Sequence, residues 1–211
     1  MLKVGLTGGI ACGKSFVGEA LAGYGCFVIQ ADQIGHEVLA PGGEAYADVT
    51  REFGEEILAA GGSGDSTYID RREIDRARLA ALVFADAGKL ARLNAIVHPA
   101  VIRREEALTA EFFTREPHGI VVVEAAILIE TGSYRRFDKL ILVFCAQEQQ
   151  IERAMRRQGS VEADIRARID RQMPFDEKRK YADFVIDTSG TKEDTLRQTR
   201  TVFEELRRME V

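Results

Sequence analysis

The run Gly8-Gly9-Ile10-Ala11-Cys12-Gly13-Lys14-Ser15 has the residue types and spacing to hold a phosphate chain. It fits the pattern glycine, four residues, glycine, lysine, serine or threonine in full. Glycines let the backbone curl until successive N–H groups point at phosphate oxygens. A helix starting near Gly13 would add the partial positive charge of its N-terminus. Lys14 reaches the β- and γ-phosphates of a bound nucleoside triphosphate, and the Ser15 hydroxyl is a ligand for Mg2+. Cys12 reads as a small loop filler and not a nucleophile, because nothing nearby supplies a base.

Two carboxylates stand where they could act on such a ligand. Asp32 follows the apolar run Cys26 to Ile29, and Glu124 follows Ile120-Val121-Val122-Val123. In a parallel sheet, ligands gather beyond the carboxyl ends of the strands. Asp32 there either accepts a hydroxyl proton and orients the attacking oxygen, or caps a helix over residues 33–40. Glu124 either holds Mg2+ through water, contacts substrate, or is a solvated acid at a strand end.

A phosphate loop alone does not separate kinases from GTPases. Thr191-Lys192-Glu193-Asp194 looks like a guanine-reading motif, and Asp187-Thr188-Ser189-Gly190 looks like a switch motif. They are adjacent, whereas a GTPase needs strands and helices between them. Thr191 reads better as a helix N-cap, with Glu193 and Asp194 in the favourable first turn.

The elements that must position these residues follow from periodicity. Residues 2–7, 26–29, 120–123, 140–144 and 184–186 read as strands, the third as a fully buried one. Helical spacing covers 14–23, 147–158, 161–172 and 191–208. The stretch 32–116 is rich in Ala, Arg, Glu and Leu, which favours helix. Gly61-Gly62-Ser63-Gly64 breaks it, and Pro99 marks a helix break or start. Phe84 and Tyr68 read as core. Alternating strands and helices predict an α/β fold, a parallel sheet flanked by helices, with a helical insertion too long for a plain crossover.

Bulk properties narrow the class. The chain has 211 residues, 45% hydrophobic and 30% charged, as in a soluble globular protein with a sizeable core. A net charge of −5 argues against a nucleic-acid or anionic-membrane partner. Residues 151–180 nevertheless carry nine Lys/Arg against six Asp/Glu, a place to meet an anion. Cys12, Cys26 and Cys145 lack metal-type spacing and read as reduced thiols. The start lacks a signal-peptide apolar region, and no run approaches the roughly 20 apolar residues that span a bilayer. A cytoplasmic protein, as a monomer, is expected.

The chain resembles the dephospho-coenzyme A kinase family along nearly its whole length. Gly5-Leu6-Thr7-Gly8-Gly9-Ile10 before Gly13-Lys14-Ser15 is similar to that family's phosphate loop. Val28-Ile29-Gln30-Ala31-Asp32, with Ile34 and His36, resembles its V-I-D-A-D segment. Asp75-Arg76, Leu79, Val83-Phe84 and His98-Pro99 follow its substrate-domain pattern. Arg153, Arg157, Arg168-Ile169 and Gln172 resemble its lid helices, and Ala182 to Asp187 its closing strand.

The resemblance implies transfer of a phosphoryl group from ATP, with Mg2+, to the ribose 3′-hydroxyl of dephospho-CoA. It implies a nucleotide core over 1–31 and 117–211, a lid over about 147–180, and a helical CoA-binding subdomain over 32–116. Asp32 matches the proposed base, Arg157 a lid arginine, and His98 and Arg76 the substrate domain. His98 alternatively caps the helix after Pro99, and Arg153, Arg156 and Arg157 alternatively form a solvated face. Gln30 departs from the family's first acid. Glu124-Ala125-Ala126-Ile127-Leu128 replaces an Asp followed by V-P-L-L, with a carboxylate one methylene longer. The rivals are another nucleoside or nucleotide kinase, and an ATP-binding regulator that phosphorylates no metabolite.

Overall fold

The computed structural model describes residues 1–59, 72–158 and 161–209, with the side chains of residues 157 and 158 excepted. The Gly61–Gly64 breaker and Tyr68 lie outside the described residues.

Five strands form one parallel sheet in the order β2-β3-β1-β4-β5. They are β1 (Leu2–Gly8), β2 (Phe27–Gln30), β3 (Ile120–Glu124), β4 (Lys139–Phe144) and β5 (Phe184–Asp187). All five β3 residues are buried, which is why that run is β-branched and does not alternate with polar residues. Register fixes the carboxyl edge: Leu6 and Gln30 both pair with Glu124, and Gly8 pairs with Val143.

Helices α1 (Lys14–Gly23) and α9 (Lys192–Met209) pack on the sheet. Their Val17, Leu21, Val202 and Leu206 share a core with Val4, Leu6, Val122, Ile141 and Ile186. At about 25 cal/mol per Å2 of apolar area removed from water, such a cluster dominates the driving force for folding this half. Helices α6 (Gln147–Gln158), α7 (Glu162–Asp170) and the short α8 (Phe175–Arg179) lie between β4 and β5.

The chain divides into two compact units, Met1–Gln30 with Thr109–Val211, and Ala31–Leu108. The second unit carries α2 (Ala31–Leu39), α3 (Tyr46–Phe53), α4 (Arg76–Phe84) and most of α5 (Ala87–Arg115). Asp75 caps α4, accepting from Ala77 N at 3.0 Å and Arg78 N at 3.1 Å. Val49, Phe53, Ile57, Leu79 and Val83 are buried in this unit.

Two expectations fail here. Helix α5 continues through Pro99 without ending there. An interior proline costs about 3 kcal/mol, and the helix persists because its length packs, with Ala100 next to the proline fully buried. Phe84 is 75% exposed and not in the core. On α4 the inward stripe is Leu79 and Val83, four apart; Phe84 is the last residue and turns off that stripe. Among the described residues no helix is long and apolar enough to cross a membrane.

Candidate active site

The loop between β1 and α1 is held close to the sheet and open at its helix end. A Cβ on Gly8 would overlap the Val143 carbonyl on the neighbouring strand, so only glycine allows that approach. Gly13 caps α1 with φ of 81°, a left-handed conformation natural to glycine. No side chain caps α1, and its first turn has no acidic residue. Its leading N–H groups and dipole therefore remain available to an anion. Ala11, at φ 53°, is the only non-glycine with positive φ among the described residues. The loop thus stores backbone strain of about 1–2 kcal/mol where the chemistry would occur.

Lys14 Nζ donates to the carbonyls of Gly8 at 3.2 Å and Gly9 at 3.3 Å. Ser15 Oγ donates to Glu124 Oε1 at 2.9 Å. Glu124 is 9% exposed, and its Oε2 is buried with no hydrogen-bond partner among the described residues. A Cβ on Gly18 would stand 3.2 Å from that oxygen, so the small residue on α1 leaves room for it. A buried, half-satisfied carboxylate is costly unless a further donor or cation completes it.

The rest of the loop is braced by residues with no motif signal. The Thr188 hydroxyl donates to Cys12 O at 2.8 Å, tying the end of β5 to the loop. Arg153 donates to that hydroxyl at 3.1 Å and to Thr188 O at 2.7 Å. Arg153 is therefore an internal strut, while Arg156 pairs along its own helix with Glu152 and is exposed. Gln172, just after α7, accepts from Ile10 N at 3.1 Å. Sequence reasoning missed Thr188 because it sat inside a false switch motif. Gln172 appeared only as part of a resemblance.

Cys12 is buried against Cys145, and none of the three cysteines forms a disulfide. The Cys145 thiol hydrogen-bonds to Cys12 and draws its pKa from 9.0 to about 7, with Lys14 helping and burial opposing. The same contact and burial push Cys145 up.

In the helical unit, Asp32 is the second residue of α2, inside its first turn and exposed. It makes no cap bond, and its carboxylate accepts no hydrogen bond among the described residues. Arg51, Arg72, Arg78, Arg92, Arg103 and Arg104 each meet a carboxylate of the same unit. Arg76 is the described arginine of that unit without one. It borders a cleft of about 100 Å3 together with His36 and Glu73. His98 is half-buried within α5, so it does not start a helix. Arg157 lies on α6, its side chain outside the described residues.

A loop of this geometry is common to many phosphate-binding enzymes, and whole-chain comparison separates them. The dephospho-CoA kinase family model matches residues 2–194. The chain belongs to the dephospho-CoA kinase family. A dephospho-CoA kinase of Thermobifida fusca is 43% identical over 208 residues, 99% of this chain and 98% of the relative. One from Aquifex aeolicus is 39% identical over 208 residues, covering 99% of each. The crystal structure of a Thermus thermophilus protein superposes with a TM-score of 0.78 at 32% identity, covering 97% of each chain. The family's α/β kinase fold, parallel sheet with flanking helices, is the one seen here. Family membership makes ATP the phosphoryl donor.

Proposed function

We propose that this chain phosphorylates the 3′-hydroxyl of the ribose in dephospho-CoA, using ATP and releasing CoA and ADP. The observation that carries the reading is the bare start of α1 behind a full phosphate loop, on a chain that matches the family over residues 2–194. In this reading the N–H groups of Gly9, Ala11 and Gly13 to Ser15 cradle the phosphates, those of Ile10 and Cys12 being engaged within the fold. Lys14 leaves the Gly8 and Gly9 carbonyls for the β- and γ-phosphates. Asp32 takes the 3′-hydroxyl proton as that oxygen attacks the γ-phosphorus and the bond to the ADP oxygen breaks. Its carboxylate is exposed and unengaged, as a base must be. Arg157 neutralises charge on the transferring group. Arg76, with no carboxylate partner among the described residues, and His98 bind the acceptor's anionic arm.

The donor set also fits Mg2+. Ser15 Oγ and the orphaned Glu124 Oε2 are hard oxygens suited to that ion, Glu124 through water. No cluster of three or more His, Cys, Asp or Glu that could hold a metal exists among the described residues. Held by Ser15 and, through water, by Glu124, the ion would offset negative charge on the phosphates. Cytoplasmic location and a monomeric state belong to the same proposal.

The test is ADP release with ATP and Mg2+, with and without dephospho-CoA, while CoA is followed by mass. ADP and CoA rising together support the reading. ADP indifferent to dephospho-CoA, with no CoA formed, overturns it. Asp32→Asn should lower kcat by roughly 10²–10⁴-fold while ATP affinity holds; unchanged turnover would remove Asp32 from the chemistry.

A further inference from the structure

Two thiols meet beneath the phosphate loop, and none of the roles above uses them. Cys12 is in the loop, and Cys145 is the residue after β4. They are 2% and 0% exposed and share one buried cluster. Both also line a cavity of about 400 Å3 beside Gly9. That space admits a molecule of the size of water or peroxide to a pair that bulk solvent hardly touches. Cys26 does not line it.

The two residues are held in place by their own backbones. The Cys12 N–H donates to Gly9 O at 3.4 Å, and the Cys12 carbonyl accepts from the Thr188 hydroxyl at 2.8 Å. The Cys12 sulfur is 3.0 Å from where a Gly9 Cβ would stand, so glycine there leaves the thiol its room. The Cys145 carbonyl accepts from Gln150 Nε2 at 3.1 Å. The Cys145 thiol hydrogen-bonds to Cys12, so the sulfurs are already in contact. A disulfide needs them about 2 Å apart.

Resting on the reading of this loop as the ATP site, we propose that Cys12 and Cys145 are an oxidation site for peroxide, and that the disulfide it forms disables the loop for phosphate. In the first step the Cys12 thiolate attacks one oxygen of hydrogen peroxide and the O–O bond breaks. The hydroxide released takes up the proton that Cys12 gave, as water, and Cys12 becomes a sulfenic acid. In the second step the Cys145 sulfur attacks the Cys12 sulfur and the S–O bond breaks. That hydroxide leaves with the Cys145 proton as a second water. Two thiols and one peroxide give one disulfide and two waters.

The surroundings set the order. Cys12 has no base beside it in sequence, but in the fold the contact with Cys145, and Lys14 after it, favour its thiolate against burial. The same contact and burial push Cys145 up, so it is not the first to react. Once Cys12 carries oxygen its negative charge is gone, while the Arg153 guanidinium still favours a Cys145 thiolate. Drawing the sulfurs from contact to a bond then pulls the loop toward the end of β4. A misplacement of about 1 Å at a reacting centre lowers rates by roughly 10²-fold.

The experiment treats the reduced full chain with hydrogen peroxide, blocks remaining thiols by alkylation, and reads intact mass, peptide map, ATP affinity and turnover. The expected result is loss of two hydrogens, a linked Cys12–Cys145 peptide, and weaker ATP binding with turnover down roughly 10²-fold. Dithiothreitol should restore all of these. Cys145→Ala should keep the parent's turnover in reductant. Peroxide should then carry its Cys12 past sulfenic to sulfinic acid, an inactivation that dithiothreitol does not reverse. Cys26→Ala should respond as the parent does. If Cys145→Ala does not fold by thermal melt, the linked peptide and its reversal carry the test alone. No Cys12–Cys145 linkage in the folded parent would overturn the proposal, and so would linkage that leaves ATP affinity and turnover unchanged. A reduced parent that binds ATP and makes no CoA would overturn the kinase reading alone, and ATP affinity on linkage would decide the proposal.

Discussion

Two helices of the core unit begin in opposite ways. Helix α9 starts behind Thr191, whose hydroxyl accepts from Asp194 N at 3.1 Å while Asp194 Oδ2 accepts from Thr191 N at 3.3 Å. This reciprocal box satisfies the helix end from within. Arg197 first, and then the Thr191 hydroxyl, hold the Asp194 carboxyl below its usual range. Helix α1 starts behind Gly13 with no cap and no acid, and a lysine follows. The difference separates a helix start that closes the structure from one kept open for a ligand. It also leaves Thr191 and Asp194, the two ends of the guanine-like motif, engaged with their own helix start.

The comparison can be broken at its strongest point with Lys14→Ala. Loss of the charge that meets the β- and γ-phosphates should lower kcat/KM by roughly 10²–10³-fold with little change in melting temperature. Near-normal turnover would mean that α1 is not the working helix start. Thr191→Ala should do the reverse. Removing the cap should cost about 1 kcal/mol, a drop of about 2–4 °C in Tm, with catalytic constants unchanged. A loss of activity at unchanged stability would show that α9 also serves the ligand.

The smallest effect concerns Cys12 and pH. Its pKa of about 7 lies below the ordinary 9.0 of the unfolded chain. Between these values the unfolded state binds more protons, so stability should rise with pH. That gain is complete above about pH 9 and lost as pH falls through about 7. Comparing denaturant midpoints of the parent and Cys12→Ser across pH 6.5–9 checks this. A difference that stays flat with pH would rule out a thiolate in the loop.

The sheet and the loop were largely legible. The β-branched runs at 120–123 and 140–144 and the motif at Gly8–Ser15 are local signals, and the strands and α1 lie where those signals are. Pro99 and Phe84 were not legible, because local rules there are outweighed by which face of a long element packs. The braces from Thr188, Arg153 and Gln172 were hidden for a different reason. Each joins positions more than 30 residues apart in sequence, and a hydrogen bond at that separation leaves no periodic trace.

By itself, the sequence determined the phosphate loop, the alternation of strands and helices, and the family. Those depend on glycine's freedom, side-chain period and residue order, all written along the chain. Only the tertiary structure decided that Glu124 meets Ser15 and keeps one oxygen unpaired, that Cys12 lies against Cys145, and that a cavity opens beside Gly9. Burial and approach distance set those properties, and both arise when strands far apart in the chain are laid side by side.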